Sequence, residues 1–184
     1  MSKRIALLAA AAFSALAITA TVVAPVSAEE KTVMVGGAAM FPSKNIIQNA
    51  VNSRDHTTLV AAVKAAGLVE TLEGKGPFTV FAPTNTAFGK LPAGTVDSLV
   101  KPENKATLTK ILTYHVVPGK LEASNLTEGK KLKTVEGEEL TVKHQDGKVW
   151  IVDAKGGTSM VTISNVNQSN GVIHVVDTVL MPAS

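Results

Sequence analysis

The hydrophobic period of this chain changes once, near Thr113, and this change constrains the fold more than any other feature. Between residues 43 and 112, apolar residues recur at helical spacing, as in Leu59, Val63 and Ala66. Beyond Thr113 the apolar residues follow a period near two, which is typical of strands. Helices gathered in one half of a chain and strands in the other predict an α+β fold instead of a parallel βαβ sheet.

Local signals predict where the individual elements lie. Ser43 is a candidate N-cap for a first helix, a second helix starts near Thr57, and Gly67 is placed to end it. Phe78–Phe81 is a short β-prone run that Pro83 stops. Strands are predicted further along the chain at Thr113–Val117, Lys131–Val135, Glu139–His144, Lys148–Val152, Thr158–Val166 and Gly171–Leu180.

The first 28 residues differ from the rest of the chain. A short basic start is followed by a run from Ile5 to Val26 that contains no charged residue, and the run closes on small residues ending at Ala28. This order of basic start, apolar middle and small-residue exit predicts a secretory signal peptide over residues 1–28. A transmembrane anchor is the alternative, because the apolar run is about long enough to span a bilayer. Pro25 and the small-residue exit favour cleavage after Ala28.

Cleavage predicts a secreted or periplasmic protein, which would touch a membrane only through an uncleaved signal peptide. Residues 29–42 contain Gly36-Gly37 and little periodicity, so they are predicted to form a flexible N-terminal segment. Residues 43–184 contain no internal repeat and are predicted to form one domain, for which we expect a monomer.

Composition excludes several classes of protein. The formal net charge is +3 over 184 residues, and it falls to +1 without Lys3 and Arg4 of the signal peptide. A charge this near zero excludes a strongly basic nucleic-acid binder, so no nucleic acid is expected as a partner. The absence of cysteine excludes disulfides, zinc-thiolate sites and thiol nucleophiles, so the stability of the domain has to come from packing.

The sequence contains no clear motif for catalysis or metal binding. The four histidines, His56, His115, His144 and His174, do not lie three or four residues apart, so no metal site or cofactor is expected. Asp55-His56 could indicate acid–base chemistry, but a helix N-terminus explains the pair better, since a carboxylate there favours the helix dipole. A hydrolase is the least supported hypothesis, because the chain has no nucleophile elbow and no Walker A sequence. We therefore expect a protein that is not an enzyme.

Three stretches of the chain carry a resemblance to a known family. They are Thr79–Phe88, Leu112–Gly119 and Asn170–Leu180. In this order and at these separations they resemble the end motifs of the fasciclin domain family and the Tyr-His pair between them. The resemblance covers Asn45 to Met181, and the chain is similar to secreted single-domain bacterial members, including mycobacterial secreted antigens. It implies a fasciclin-like fold, in which helices mainly from the N-terminal half pack on a mostly antiparallel β-sandwich or wedge from the C-terminal half.

The resemblance also implies candidate binding residues. Family members in animals use the Tyr-His pair and its aliphatic neighbours in adhesion to receptors or matrix. Carried over to this chain, the candidates are Ile111, Leu112, Tyr114, His115, Val116 and Val117. The alternative is a structural role, in which His115 is buried and holds a strand to a helix through hydrogen bonds. Both interpretations stay open, because a destabilised domain also loses binding.

Four further motif residues are predicted to support the fold. Thr84 caps a helix that continues with Asn85, and Asp177 belongs to the third stretch. His174 lies in a run that is apolar on both faces, so it is expected to be a hydrogen-bonded core residue. Animal adhesive domains often carry Asp-Ile where this chain has Asn165-Val166. Because Asn lacks the carboxylate that would approach a receptor-bound cation, integrin-type recognition is not expected.

Two hypotheses about function follow. The leading one is a non-enzymatic, secreted or periplasmic module for cell adhesion or surface interaction, whose partner is a cell-surface or matrix protein or a glycan. The signal peptide, the family motifs and the lack of a catalytic constellation favour it. The alternative is a carrier or sensor of a small apolar ligand or lipid in the periplasm, which the many Val, Leu and Ile residues around an expected helix-to-sheet groove favour.

Overall fold

The structure is a computed structural model and describes residues 31–183, so the predicted signal peptide and its cleavage site lie outside the described residues. The α-helices are α1 (Ile46–Ala50), α2 (Thr57–Ala66), α3 (Val69–Glu73), α4 (Asn85–Gly89), α5 (Thr95–Leu99) and α6 (Lys105–Tyr114). The strands are β1 (Val33–Val35), β2 (Ala38–Met40), β3 (Phe78–Pro83), β4 (Val116–Pro118), β5 (Lys131–Lys133), β6 (Glu139–Gln145), β7 (Lys148–Val152), β8 (Thr158–Gln168) and β9 (Gly171–Val176). Short 3-10 helices occupy Arg54–His56, Pro102–Asn104 and Ala123–Asn125.

The main sheet has seven strands in the order β4-β3-β9-β8-β7-β6-β5, and β1 pairs separately with β2. Every neighbouring pair in the main sheet is antiparallel except β3 and β9, which are parallel and place Phe81 opposite His174. The Val135 N–H, just after β5, donates to the Val116 carbonyl of β4 at 2.8 Å, so the sheet nearly closes on itself. The predicted α+β architecture with a mostly antiparallel, wedge-shaped sheet is confirmed.

Strands β3 and β9 separate two hydrophobic cores. The helical core contains Val80 and Ala82 of β3 together with the buried faces of the helices, for example Leu59, Val63 and Leu112. The β core lies on the other side of these strands and contains Phe81, Tyr114, Val117, Leu126, Leu132, Leu140, Val142, Ile151, Val176 and Leu180. A strand with a core on each side needs apolar residues on both faces, which explains the almost continuous apolar sequence of β9.

Residues 33–40 form a hairpin before α1, so the flexible segment predicted over residues 29–42 is wrong for these residues. Residues 33–40 form the β1–β2 pair, and Val35 and Met40 are each only 3% exposed, within the helical core. Gly36 and Gly37 have φ angles of 57° and 76°, which a two-residue hairpin turn requires and which glycine adopts without strain. The two glycines therefore shape a turn instead of providing flexibility.

The predicted strand Thr113–Val117 is wrong in its first half. Thr113 and Tyr114 form the last turn of α6, and the strand begins only at Val116. The His115 N–H donates to the carbonyl of Leu112 at 3.1 Å, so the helical hydrogen bonding continues through this residue. The change from helix to strand therefore falls directly after the Tyr-His pair.

Several other element ends differ from the prediction, and hydrogen bonds explain two of them. The first helix is capped by Asn45 and not by Ser43, because the Asn45 side chain accepts the Gln48 N–H at 2.8 Å. The last strand ends at Val176 and does not continue to Leu180. The Asp177 N–H still donates to the carbonyl of Met160 in β8 at 3.1 Å, but the Met160 N–H donates to the Asp177 side chain at 2.9 Å instead of to its backbone. None of the helices in residues 31–183 is long and apolar enough to cross a membrane.

Candidate functional site

Tyr114 is fully buried at the end of α6, where its ring belongs to the β core. The Tyr114 hydroxyl donates to the Glu139 carbonyl at 3.2 Å and accepts the Ala154 N–H at 2.8 Å. Burial raises the pKa of this hydroxyl to about 12, and nearby carboxylates including Asp153 add to the rise. Tyr114 therefore stays protonated at neutral pH and ties α6 to two parts of the sheet.

His115 follows directly and has a backbone partner for each ring nitrogen. The Leu180 N–H donates to Nε2 at 3.0 Å, so the proton of the neutral ring is on Nδ1, which donates to the Ile111 carbonyl at 2.8 Å. Burial lowers the pKa of His115 to about 4, although the Ile111 carbonyl and Asp153 oppose the shift. With both nitrogens engaged, this imidazole cannot act as a proton acceptor for a substrate without breaking the local structure.

All six candidate binding residues are brought together, and all are buried. Their exposed fractions are Ile111 5%, Leu112 4%, Tyr114 0%, His115 2%, Val116 6% and Val117 3%. Ile111, Leu112 and Val116 belong to the helical core, whereas Tyr114 and Val117 belong to the β core. In this conformation the set joins the two cores, and a partner that approaches from solvent does not reach these side chains.

The first family motif supports the start of α4. The Thr84 hydroxyl accepts the Ala87 N–H at 3.2 Å, which is the N-cap bond that its sequence predicts. Asn85 reaches further: its Oδ1 accepts the Thr58 N–H at 3.0 Å and its Nδ2 donates to the Arg54 carbonyl at 2.8 Å. Asn85 therefore fixes the 3-10 helix Arg54–His56 and the start of α2 against α4.

The last motif places His174 and Asp177 on and after β9. His174 is 0% exposed and stacks on Phe81, with ring centroids 5.7 Å apart. Its Nε2 donates to the Leu121 carbonyl at 2.7 Å, its Nδ1 accepts the Asn165 N–H at 3.4 Å, and burial lowers its pKa. Asp177 accepts the Met160 N–H at 2.9 Å. Burial tends to raise the pKa of Asp177, but its hydrogen bonds and the Lys90 ammonium have the larger combined effect, so the pKa is lowered.

Asn165 occupies the position to which the resemblance assigns an acid in animal adhesive domains. Its backbone has a φ of 57°, a conformation that Asn tolerates better than most residues. Its Oδ1 accepts the Ala123 N–H at 2.7 Å, so the amide is engaged within the domain. No group of acidic or histidine side chains in residues 31–183 is arranged to hold a metal ion.

The helical core contains a cavity of about 70 Å³. The β1–β2 hairpin, helices α1, α2 and α3 and strands β3 and β9 contribute to its wall, with the end of α6 and the start of β4. Three of the candidate binding residues, Leu112, His115 and Val116, face it. The wall is almost entirely apolar, and two of the residues that line it, Thr71 and Val135, are exposed.

His56 is the polar exception in the wall of this cavity. It is 3% exposed, and its Nδ1 lies 2.9 Å from the Ser53 hydroxyl, which is also buried. Its Nε2 is enclosed and has no hydrogen-bond partner among the described residues. Burial lowers the pKa of His56, although the Ala82 backbone and the Asp55 carboxylate, which both favour the charged ring, oppose the shift. The ring is thus neutral at physiological pH.

The sequence alone does not identify this site. His56 lies at the start of α2, as the prediction of a helix N-terminus requires. The cavity beside it is built from segments that are far apart in the chain, from Val35 to Ile173, so no local pattern indicates it. The one sequence signal is the Ser53-x-x-His56 spacing, which also occurs in many ordinary helix starts.

Comparison with known proteins shows sequence relatives along most of the chain. The model of the Fasciclin domain family matches residues 54–182. Protein sll1483 of Synechocystis sp. is 49% identical over 168 residues, which cover 91% of this chain and 90% of that protein. Immunogenic protein MPB70 of Mycobacterium bovis is 40% identical over 138 residues, which cover 72% of this chain and 66% of that protein.

A solved structure supports the same fold. The FAS1 domain pair from the insect cell adhesion molecule Fasciclin I superimposes with a TM-score of 0.68 and 18% identity, covering 77% of this chain and 52% of that chain. At this identity the likeness concerns the fold alone. Together with the family match and the cyanobacterial and mycobacterial relatives, it confirms the resemblance seen in the three motifs: the chain belongs to the fasciclin domain family.

Proposed function

We propose that this protein is a non-enzymatic surface-interaction module that works as a monomer outside the cytoplasm. The observation that carries the proposal is the extent of the fasciclin domain, which takes in residues 54–182 and therefore nearly all of the described structure. The similar insect protein is a cell adhesion molecule, and the predicted signal peptide over residues 1–28 would bring this chain out of the cytoplasm. The expected partner is a cell-surface or matrix protein or a glycan.

The absence of catalysis is inferred from the family and from the state of the histidines. His115 and His174 use both ring nitrogens for bonds within the domain, and burial lowers both pKa values. A histidine in this state holds backbone segments together and has no free nitrogen for proton transfer. These observations support a binding role more than a hydrolytic one.

Affinity capture tests this proposal. Residues 29–184 are immobilised and exposed to solubilised envelope from the producing cell, and retained material is identified by mass spectrometry. The matched control is the same chain denatured and immobilised at equal density. We expect one surface protein or glycan to be retained by the folded chain only; equal recovery on both columns, or none, contradicts the proposal.

We further propose that Tyr114 and His115 support binding through the stability of the domain. His115→Ala removes a ring that bridges the Ile111 carbonyl and the Leu180 N–H, so unfolding should become easier by about 1–3 kcal/mol. Binding should fall only in proportion to the folded fraction. An unchanged melting temperature together with lost binding would instead assign His115 to direct contact with the partner. Lys143→Ala, at an exposed residue of β6, is the control variant for stability.

The cavity in the helical core favours a second candidate function, the carriage or sensing of a small apolar ligand. Its almost entirely apolar wall suits an apolar guest. Xenon, monitored through the methyl resonances of Val63 and Ile173 in the cavity wall, tests this candidate directly. Saturable shifts of these methyl groups support it, and their absence excludes it.

A further inference from the structure

The strands β5, β6, β7 and β8 have a second face, which points away from the β core. Leu132, Leu140 and Ile151 of these strands belong to the β core, and successive side chains in a strand point to opposite faces. The residues between them therefore point the other way. They form what we call the outward face, which consists of every second residue, counted from the first, of Lys131–Lys133, Glu139–Gln145, Lys148–Val152 and 158–160.

An aromatic ring lies in the middle of the outward face. Trp150 of β7 pairs with Lys143 of β6 on one side and with Met160 of β8 on the other. Trp150 and Met160 are half-buried but belong to neither hydrophobic core. Since the indole Nε1 is enclosed, the part of the indole that solvent reaches consists of carbon atoms. The outward face therefore presents an aromatic, apolar surface that neither core of the described domain covers.

Hydroxyl groups lie beside this aromatic surface. Val152, two residues after Trp150, pairs with Thr141 of β6 and with Thr158 of β8. Neither threonine hydroxyl forms a hydrogen bond with another residue in the described range 31–183. Both hydroxyls can donate and accept hydrogen bonds, so they suit a partner that carries hydroxyl groups itself.

The charge of the outward face is positive. It carries four exposed lysines, which are Lys131, Lys133, Lys143 and Lys148. Glu139, 3.4 Å from Lys131, is the one carboxylate among the outward-facing positions, since Asp146 lies in the turn between β6 and β7. Lys133, Lys143 and Lys148 form no ion pair with any residue that the structure describes. This excess of unpaired ammonium groups attracts an anionic partner.

An acidic sugar chain suits all of these properties. A sugar ring has a face of C–H groups, which can stack on exposed aromatic carbons, and hydroxyls at its rim. Carboxylates on the sugar can pair with Lys143, beside Trp150, and with Lys148, which lies two residues or about 7 Å before Trp150 on the same strand. A membrane suits the surface less well, because the half-buried Trp150 lies within the sheet instead of protruding into lipid.

We propose that the outward face binds an acidic polysaccharide whose sugar rings carry carboxylates. Trp150 stacks on one ring, and Lys143 and Lys148 pair with the carboxylates. The inference rests on the surface-interaction function proposed above, and it specifies the class of partner and the surface that binds it. Tyr114 lies on the opposite side of these strands, in the β core, so binding to the outward face and stability of the domain can be changed separately.

Fluorescence tests this proposal, because Trp150 is the single Trp of the chain and its emission reports on the outward face alone. Residues 29–184 are titrated with polygalacturonate, with the uncharged polysaccharide dextran, and with vesicles of phosphatidylglycerol. We expect a saturable change of emission with polygalacturonate, which weakens at high salt, and none with dextran. A response to the vesicles but not to polygalacturonate, or an equal response to dextran, overturns the proposal.

Paired lysine variants locate the binding surface. Lys143→Gln combined with Lys148→Gln should weaken polygalacturonate binding about threefold to tenfold at low salt, as expected for two exposed ion pairs. Lys64→Gln combined with Lys105→Gln removes the same charge at exposed positions of α2 and α6. This matched control should bind within about twofold of the unmodified chain. Equal losses in the two pairs would show that overall charge, and not the outward face, determines binding.

The variant Trp150→Leu keeps an apolar side chain and removes the aromatic ring. Its affinity for polygalacturonate, measured by calorimetry, should fall about fivefold or more, as for other aromatic residues at the centre of a binding surface. An unchanged affinity refutes the stacking role. The melting temperature of each variant shows whether it is folded. If Trp150→Leu does not fold, the lysine pairs and the emission of the unmodified chain decide the proposal.

The outcomes separate this inference from the surface-interaction function. If the envelope column retains a surface protein while polygalacturonate does not bind, the acidic-polysaccharide site is refuted and the surface-interaction function stands. If the column retains nothing and polygalacturonate does not bind, both are refuted.

Discussion

The helical core and the β core of this fasciclin domain differ in how completely their atoms fill space and how completely their buried polar groups are hydrogen-bonded. The helical core leaves a cavity of about 70 Å³ and one enclosed histidine nitrogen without a partner. The β core is centred on Tyr114, whose ring is completely buried and whose hydroxyl both donates and accepts a hydrogen bond. Both cores share strands β3 and β9, so the difference arises from what covers each face of the same pair of strands.

Three buried histidines illustrate what this difference means. Burial lowers the pKa of His56, His115 and His174 alike, so all three are neutral. His115 and His174 have backbone partners on both nitrogens, whereas His56 has one partner and one unused nitrogen. Burial alone therefore does not show how completely an imidazole is hydrogen-bonded within the domain.

The largest expected effect comes from deleting the same side chain in each core. Leu140→Ala in the β core should destabilise by about 4–5 kcal/mol, because its fully buried side chain is surrounded by packed neighbours. Leu59→Ala in the cavity wall should cost only about 2–3 kcal/mol, since Leu59 already lacks contacts on the cavity side. Urea unfolding measures both variants. Equal costs, or a larger cost for Leu59→Ala, would remove the distinction between the two cores.

Acid titration tests how much the buried, neutral histidines contribute to the stability of the folded domain. The unfolded chain protonates His115 near pH 6.5, whereas the folded domain does so only near pH 4. Its contribution to stability is therefore complete above pH 6.5 and declines as the pH falls to 4, by about 3 kcal/mol in all. The lowered pKa values of His56 and His174 act in the same direction. Urea unfolding at pH 7.5, 6, 5 and 4 measures the slope.

A variant that lacks His115 should show a shallower slope between pH 6.5 and 4 than the unmodified chain. A stability that stays constant over this range in the unmodified chain would show that the buried histidines are not held neutral.

The smallest effect comes from adding one methylene group to each core. Val63→Ile places it in the cavity wall, where free volume exists, so stability should stay the same or rise by up to about 1 kcal/mol. Val142→Ile makes the same change in the β core at a residue that is 1% exposed, and overpacking there should cost about 1 kcal/mol. Thermal unfolding compares the two variants. A loss for Val63→Ile equal to that for Val142→Ile would mean that the cavity does not relieve packing.

Sequence patterns predicted the strands best where the alternation of apolar residues was regular. The strand predicted over Lys148–Val152 has the same first and last residues as the observed β7. Thr84 caps α4 as expected. The pattern failed at the Tyr-His pair, because a buried helix end and a buried strand have similar apolar sequences over a few residues. It also failed at Gly36-Gly37, where glycine suits a flexible segment and a tight hairpin turn equally.

The separation along the chain between contacting residues explains which features the sequence determined and which features only the tertiary structure determined. The amino-acid sequence by itself determined the α+β class, the family and features such as the Thr84 cap, because the Ala87 N–H that it binds lies three residues away. Only the tertiary structure decided the roles of the histidines, since His115 Nε2 binds the N–H of Leu180, which is 65 residues away. The cavity and the unused nitrogen of His56 likewise exist only once segments from Val35 to Ile173 have packed together, because no single segment encloses a volume.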